Sequence, residues 1–303
     1  MVPELGSDNK PVVEVKIGKN IVSSDSYTVS YSTDGGKNTL SVSFDNLKEA
    51  KDSSNNAIAV NGDSEVYVNY KAKLDPKKVT ADILGKAQEN KVKLTYSNNP
   101  YNDKGIGTTV DHPAYDYTYG IDVTKVGNDK DEAGNPKKLD GVQFTLQESG
   151  VSQCIKADGT LTSNKEDAIL TTNSEGKINV VGLDEGTYVL KEVKPAPGYN
   201  NSAAGGITFT ITNNGLPANG DPFNPGCSLP EGTDGNLVQA TSAPVGTVDG
   251  KVHLTVTDQK GSNLPLTGLN GVTFTWIAGG AVLCIGVAHL IRSRKQAEES
   301  EQE

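Results

Sequence analysis

The chain has 303 residues and a formal net charge of -10, with 38 acidic side chains against 28 basic ones. This length leaves room for about two domains of ordinary size, and the acidic balance excludes nucleic acid as the expected partner. Glycine is abundant, and valine, threonine, asparagine and aspartate recur in short runs, which is typical of an all-β protein with short strands and many turns.

Residues 12–117 show the two-residue alternation of half-buried strands. Apolar and polar side chains alternate in three segments, 13–17, 27–31 and 40–44, so each predicted strand has one wet face and one buried face. The tripeptide Asp34-Gly35-Gly36 lies between the second and third segments. It predicts a hairpin, because both central positions of such a turn can require positive φ.

Two further strands are predicted at residues 66–70 and 92–96, joined by a short helical or irregular link near residues 81–88. The segments 65–74 and 90–100, which contain these strands, resemble the C-terminal part of the isopeptide-forming middle domain of Gram-positive fimbrial subunits. On this basis residues 1–116 are identified as a partial domain of that kind, with an Ig-like β-sandwich fold.

In that family, a lysine on the first strand is joined to an asparagine on the last strand. The resemblance places the acceptor at Asn90 or Asn98, and formation of a turn next to Pro100 is the alternative role for these asparagines. The lysine-bearing strand is expected upstream of Met1. Since the N-terminal residues also lack a basic start followed by an apolar run, no secretory signal peptide is predicted, and we expect an N-terminally truncated fragment.

From residue 117 the alternation becomes more regular. It predicts strands in segments 119–126, 139–146, 176–199, 206–212 and 252–258. The segment 217–244, rich in proline, glycine and asparagine, predicts a long loop before the last strand. Over residues 117–260 the pattern resembles the B-type repeat of collagen adhesins and pilins, which implies a prealbumin-like β-sandwich.

The B-type resemblance implies roles for three charged residues near predicted strand ends. In that repeat a first-strand lysine and a last-strand Asn or Asp form an intramolecular isopeptide bond, assisted by the glutamate of a motif that ends in Pro-x-Gly-Tyr. The matching residues are Lys125, Asp258 and Glu192. Without the resemblance, solvated strand ends would be the simpler interpretation.

The chemistry requires these residue types because an apolar core disfavours charge. A buried amine is then neutral and nucleophilic, and a buried carboxyl is protonated. Glu192 is predicted to polarise the Asp258 carboxyl and to carry protons during the attack by Lys125. With aspartate rather than asparagine as the acceptor, the leaving group is water instead of ammonia.

Cysteine and histidine patterns predict little further chemistry. Cys284 lies in an apolar segment, whereas Cys154 and Cys227 lie outside it, where they can form one disulfide or remain two buried thiols. The three histidines are far apart in sequence, so neither a metal site nor a histidine-based catalytic triad is predicted, and no cofactor is expected.

The C-terminal region, residues 261–303, contains an uncharged stretch at 272–291, basic side chains after it and, before it, the pentapeptide Leu264-Pro265-Leu266-Thr267-Gly268. Twenty helical residues at about 1.5 Å each cover the roughly 30 Å hydrocarbon core, and the basic residues favour the cytoplasmic side. An ordinary membrane anchor is one interpretation. The three features together resemble the cell-wall sorting signal of Gram-positive surface proteins.

In that family a sortase cleaves between threonine and glycine and passes the threonine carbonyl to an amine, so membrane insertion is transient. The resemblances imply tandem Ig-like β-sandwich domains, 1–116 and 117–260, followed by a transmembrane sorting helix. They imply a structural pilus subunit at the Gram-positive cell surface and not an enzyme. Its partners would be a sortase and either other pilin subunits or peptidoglycan.

A wall-anchored adhesin is the alternative function. In that case the domains would form a stalk, and an upstream domain would bind ligands on the host surface. A surface enzyme on a stalk would likewise need a catalytic motif upstream. Only a pilin polymerises covalently, so high-molecular-weight ladders on denaturing gels of wall extracts would distinguish a pilin from an adhesin.

The sorting-signal interpretation predicts cleavage between Thr267 and Gly268. In cells that express the matching sortase, Thr267→Ala should leave the protein in the membrane or the medium, because the transferred carbonyl belongs to that residue. Thr273→Ala, a matched change beyond the cleaved bond, should leave wall attachment intact. Wall attachment that survives deletion of residues 264–268 would contradict the interpretation.

Overall fold

A computed structural model describes residues 2–99, 101, 105–213, 215–241 and 243–261. Within these ranges the chain is all-β, as predicted, with short 3-10 helices and no α-helix. None of the helices described is long and apolar enough to cross a membrane. The predicted sorting pentapeptide, membrane span and basic tail lie outside the described residues.

The N-terminal part contains the strands β1 (Val2–Pro3), β2 (Val13–Ile17), β3 (Asn20–Ile21), β4 (Thr28–Asp34), β5 (Lys37–Ser43), β6 (Val66–Tyr70), β7 (Ala72–Lys73), β8 (Gln88–Val92), β9 (Thr95–Ser97), β10 (Ile106–Thr108) and β11 (His112–Asp116). The 3-10 helices of this part are Ser24–Ser26, Leu47–Glu49, Pro76–Lys78 and Ala81–Ile83. The last of these lies in the predicted helical link.

A small apolar core lies in this N-terminal part. Strand β2 pairs with β3 and β6, and β4 pairs with β5 in a separate two-stranded sheet. The predicted hairpin is confirmed, since Gly35 and Gly36 form its turn with φ of 52° and 81°. Buried side chains are few and include Val15 and Ile17 on β2, against which Val42 of the hairpin packs.

The predicted strand at residues 92–96 is interrupted, because β8 ends at Val92 and β9 begins at Thr95. Strand β8 pairs with β11, and β9 pairs with β10. The two pairings differ in register by one residue. Between them, Thr109 N–H donates to Leu94 O and Leu94 N–H donates to the Thr109 hydroxyl. Such a shift marks a local irregularity in an antiparallel ribbon, which a two-residue alternation in the sequence does not reveal.

The C-terminal part contains the strands β12 (Tyr119–Lys130), β13 (Pro136–Lys138), β14 (Gln143–Glu148), β15 (Cys154–Ile155), β16 (Leu161–Thr162), β17 (Leu170–Thr171), β18 (Lys177–Leu183), β19 (Gly186–Lys194), β20 (Ile207–Thr212), β21 (Gly226–Ser228), β22 (Val238–Thr241) and β23 (Lys251–Asp258), with a 3-10 helix at Lys165–Ala168.

These strands form two sheets with one apolar core, which we call the C-terminal sandwich. One sheet has the order β13-β12-β23-β22, with β18 also paired to β12. The other has the order β16-β15-β14-β19-β20-β21, with β17 also paired to β14. Inward side chains alternate along the strands, as in β23, where every second residue is buried. The first long strand, β12, runs parallel to the last, β23.

The prediction of a long loop over residues 217–244 is wrong in part. Two short strands interrupt this segment: β21 pairs with β20 in one sheet, and β22 pairs with β23 in the other. Edge positions need a strand to pair on one side only, so short segments between turns are sufficient there. The high proline and glycine content conceals both strands in the sequence.

The predicted Cys154–Cys227 disulfide is contradicted, because both cysteines are free thiols. Cys154 lies on β15 and Cys227 on β21, with β14, β19 and β20 between them in the same sheet. Neighbouring strands are about 4.8 Å apart, so the two backbones are separated by roughly 19 Å. A disulfide requires Cα atoms within about 7 Å. The open alternative, two unpaired thiols, is the one that the structure contains.

A close backbone crossing joins the two parts of the chain. Gly85 donates a hydrogen bond to Thr118 O at 2.9 Å and accepts one from the Phe223 N–H at 2.9 Å. A Cβ at Gly250 would lie 2.2 Å from the nitrogen of Gly85. The neighbouring Leu84 is almost completely buried. The segment before β8 is therefore docked on the C-terminal sandwich.

Candidate functional site

Two adjacent parallel strands place Lys125 and Asp258 on the same inward face. In the pairing of β12 with β23, Lys125 lies opposite Val256, and Gly127 lies opposite Asp258. Because side chains alternate along a strand, residues two apart share a face, so Lys125 and Asp258 are diagonal neighbours. Glu192 reaches the same point from β19 in the opposite sheet.

The three predicted residues meet in a completely enclosed cluster. Lys125 Nζ lies 2.5 Å from Asp258 Oδ1 and 3.0 Å from Glu192 Oε2. All three side chains have no solvent exposure. The ring of Phe144, on β14, lies 5.7 Å from Nζ and forms an apolar wall. Burial of charges costs several kcal/mol per ion unless they are closely paired, so solvated strand ends do not describe this cluster.

The electrostatics of the cluster favour a proton on a carboxyl. Burial raises the pKa of Glu192 to about 6, against the lowering effect of Lys125 and with a further raising effect of Asp258. Glu192 Oε1 and Asp258 Oδ2 are buried and have no hydrogen-bond partner in the described structure. Burial and the neighbouring Asp258 carboxyl therefore both favour a proton on Glu192.

Local backbone features hold Glu192 and Asp258 in place. The pairing of β14 with β19 shifts by one residue between Gln143 and Phe144, a bulge of the kind that orients side chains near functional sites. Beyond it, Glu192 N–H donates to Ala203 O at 3.1 Å instead of continuing the ladder. The Ser202 N–H approaches Asp258 Oδ1 at 3.4 Å.

Sequence reasoning placed Lys125, Glu192 and Asp258 but not the residues around them. Phe144 and Ser202 contact the cluster through a facing strand and a loop, and neither carries a sequence signal beyond its place in or near a strand pattern. The arrangement provides a nucleophilic amine, a carboxyl carbon for it to attack and a second carboxyl that can hold a proton beside both.

The two candidate acceptors in the N-terminal part lie in different surroundings. Asn90 is half-buried on β8 and donates from Nδ2 to the Tyr70 hydroxyl at 3.1 Å. Asn98 is exposed and donates to the carbonyl of Ile106 at 3.1 Å. Neither amide is enclosed as Asp258 is, so an isopeptide role for Asn90 or Asn98 stays a prediction, and the contact of Asn98 across the β9–β10 ribbon fits the alternative role in a turn.

Comparison with known proteins finds a family similarity in the C-terminal sandwich. Residues 122–221 match the family model described as SpaA, prealbumin-like fold domain. The match covers most of the sandwich but less than half of the chain, and we call the sandwich the SpaA-type domain for this similarity. This result confirms the fold implied by the B-type resemblance, and the SpaA-type domain contains both Lys125 and Glu192 within the matched range. No curated protein matches the chain in sequence.

Several solved structures are similar to the chain at low identity. The pilus 2b backbone protein of group B streptococcus is 17% identical with a TM-score of 0.34, over 88% of this chain and 92% of its own. Domains D2 and D3 of the major pilin SpaD from Corynebacterium diphtheriae are 19% identical with a TM-score of 0.40, and the match covers 86% of this chain and 90% of that one. The T6 backbone pilin of Streptococcus pyogenes is also 19% identical with a TM-score of 0.40, and the match covers 86% of this chain and 64% of that one. These values are too low to assign a function.

The raised pKa of Glu192 predicts how pH affects an SpaA-type domain that cannot react. The folded pKa, about 6, lies above the ordinary value of 4.5, so the stabilisation from this proton is complete below about pH 4.5 and is lost as pH rises through the folded pKa. The Lys125 amine lowers the pKa of Glu192, so removing the amine in Lys125→Met raises that pKa further. The free energy of unfolding of Lys125→Met should therefore fall by about 2 kcal/mol or more between pH 4.5 and 7.

Chemical denaturation across this pH range provides the measurement, and Lys125→Met/Glu192→Gln provides the matched control. The double variant has no carboxyl at position 192, so its stability should change less over the same interval. Parallel pH dependence in the two variants would contradict the assignment of the proton to Glu192.

Proposed function

We propose that the protein is a structural subunit of a sortase-assembled surface pilus, and that its SpaA-type domain is closed by an isopeptide bond between Lys125 and Asp258. The observation that carries the proposal is the enclosed cluster, in which Lys125 Nζ contacts Asp258 at 2.5 Å and Glu192 at 3.0 Å. Ionised groups of this kind are almost never fully buried without a specific reason.

The bond-forming step balances without any other reactant. The neutral amine of Lys125 attacks the carboxyl carbon of Asp258, so a C–N bond forms and one C–O bond breaks. Glu192 gives a proton to the departing hydroxyl, which leaves as water, and takes a proton from the attacking nitrogen. Glu192 ends as it began, and the reaction occurs once in each molecule.

The bond would join the first and last strands of the SpaA-type domain. It would close a loop of 134 residues, from Lys125 to Asp258. By analogy with disulfide loop closure, this stabilises the fold by about 5 kcal/mol if chain entropy dominates. Asp258 ends β23 and precedes Leu264 by few residues, so tension applied at Thr267 would reach the last strand beside the bond.

The proposal extends to assembly and location. A sortase would join Thr267 to another pilin subunit or to peptidoglycan, after a transient membrane stage, on the surface of a Gram-positive cell. Support for this part comes from the order of the pentapeptide, the uncharged segment and the basic residues in the sequence. The domain division at residues 116 and 117 belongs to the same proposal.

Intact mass tests the isopeptide bond directly. After reduction, the protein should weigh one water less than its sequence predicts, because Asp258 is the acceptor. Glu192→Ala and Lys125→Ala should restore the full mass. Both variants should also unfold at a lower temperature, since they lose the covalent loop and leave a polar partner buried alone.

Lys177→Ala is the matched control, because Lys177 pairs with Asp122 at 3.5 Å in the same sheet but is half-exposed. This variant should keep the loss of one water. A wild-type protein at full sequence mass would refute the bond, and so would a Glu192→Ala variant that still loses water.

A further inference from the structure

A tyrosine lies beside the strand position opposite Asp258. Gly127 lies opposite Asp258 in the strand pairing, and a Cβ at this position would be 2.6 Å from Tyr199 Cε1. The glycine therefore leaves room for the ring. Tyr199 is half-buried against the apolar core, so part of its side chain is enclosed and part remains exposed to solvent.

Two charged residues hold this ring in position. The Tyr199 hydroxyl donates to Asp129 Oδ1 at 2.6 Å, and Lys260 Nζ donates to Asp129 Oδ2 at 2.8 Å. Burial is the main cause that raises the pKa of Tyr199 to about 12, and the charges of Asp129 and Asp258 add to it. The Tyr199 hydroxyl is thus near enough to Asp258 for the charge of that carboxyl to affect its pKa.

The chain that follows β23 pairs with the loop that carries Tyr199. Gly261 N–H donates to Gly198 O at 2.8 Å, and Asn200 N–H donates to Gln259 O at 2.9 Å, so residues 259–261 pair with residues 198–200 on both sides of Tyr199. The Lys260 N–H also donates to Asn128 Oδ1 at 2.8 Å. Residues 259–261 therefore fix the loop that carries the ring.

We propose that Tyr199 is a positioning residue for isopeptide formation: its ring, held by Asp129 and by residues 259–261, closes the pocket of Lys125 and Asp258 against water. This inference rests on the proposed bond between those two residues. It assigns a role to the tyrosine of the segment Pro197-Gly198-Tyr199 and to the segment beyond the last strand, neither of which takes part in the chemical step.

Water must be excluded because the Lys125 amine faces two carboxyls that water would help to ionise. Lys125 Nζ is surrounded by Asp258 on β23, Glu192 on β19 and the Phe144 ring on β14, with Tyr199 and Asp129 at the rim. Water admitted at the rim would favour the charged forms of the amine and the carboxyls. A charged amine cannot attack, and a charged acceptor carboxyl resists attack.

The test measures the rate of bond formation in the complete 303-residue chain. Protein made by cell-free synthesis is quenched at intervals and digested with trypsin, and the linked peptide that contains Lys125 and Asp258 is compared with the unlinked peptides. Tyr199→Ala should form the link about tenfold more slowly or worse, because water admitted to the cluster favours the charged, unreactive forms of the amine and the carboxyls. Tyr199→Phe keeps the ring but loses the hydrogen bond to Asp129, so its rate should lie between those of the wild type and Tyr199→Ala.

The comparison of Tyr199→Phe with Tyr199→Ala separates closure from a purely structural effect, because only Tyr199→Phe keeps an aromatic ring over the enclosed cluster. Gly127→Ala should behave like Tyr199→Ala, because its Cβ displaces the ring. It provides a second route to the same result if Tyr199→Ala does not fold.

Tyr115→Ala is the matched control. The Tyr115 ring also lies over a glycine, with a Cβ at Gly220 predicted 2.8 Å from Tyr115 Cε1, but Tyr115 lies on β11, before the start of β12. This control should keep the wild-type rate. The inference fails if Tyr199→Ala and Gly127→Ala link at the wild-type rate, if they slow no more than Tyr115→Ala, or if Tyr199→Phe links as slowly as Tyr199→Ala.

Failure of the underlying bond gives a different result. If the wild-type chain itself yields no linked peptide, the isopeptide assignment is wrong and the role of Tyr199 falls with it. If the wild type forms the link and Tyr199→Ala and Gly127→Ala form it equally fast, the bond between Lys125 and Asp258 stands and only the role of Tyr199 is wrong.

Discussion

The structure depends on placing one amine and two carboxyls inside an apolar core without solvent. Each buried ion costs several kcal/mol after relaxation, and Lys125, Glu192 and Asp258 are fully enclosed. Close pairing offsets part of this cost. A proton on one carboxyl reduces it further, and conversion of the Lys125–Asp258 pair into a neutral amide would remove both of its charges. In the proposed account, the covalent bond resolves the electrostatic cost that the fold creates.

The sheet topology determines where that bond lies. Strands β12 and β23 are the first long strand and the last strand of the C-terminal sandwich, and they run parallel as neighbours, so a bond between them encloses nearly the entire sandwich. Residues 259–261 continue from β23 onto the loop at residues 198–200. At the opposite end, Gly85 and Gly250 cross closely. The backbone therefore passes the Gly85–Gly250 crossing, the strands β12 and β23 and the cluster between the N-terminal part and the C-terminal region.

The sequence patterns predicted much of this architecture. Alternation located β2, β4, β5, β6 and most strands of the C-terminal sandwich, and the glycine pair in the β4–β5 turn predicted its geometry. Lys125, Glu192 and Asp258 were placed through a family resemblance. Without that resemblance, their position near strand ends favoured solvated side chains, because a sequence pattern shows which face a residue occupies but not what lies opposite it.

The errors share a physical cause. Pairing Cys154 with Cys227 required knowledge of the sheet order, which depends on contacts between strands far apart in sequence. The strands β21 and β22 were missed because edge strands are short and tolerate proline and glycine nearby. The contacts of Gly127 with Tyr199 and of Ser202 with Asp258 join distant segments at a single point, so no periodicity marks them.

A high-resolution crystal structure of the protein tests the central claim most directly. The account predicts continuous density between Lys125 Nζ and Asp258 Cγ at about 1.33 Å, the length of an amide C–N bond, with one oxygen remaining on Asp258 and Glu192 beside the new amide. Separate side chains, with both Asp258 oxygens present and Nζ at a non-bonded distance such as the 2.5 Å ion-pair contact, would contradict it.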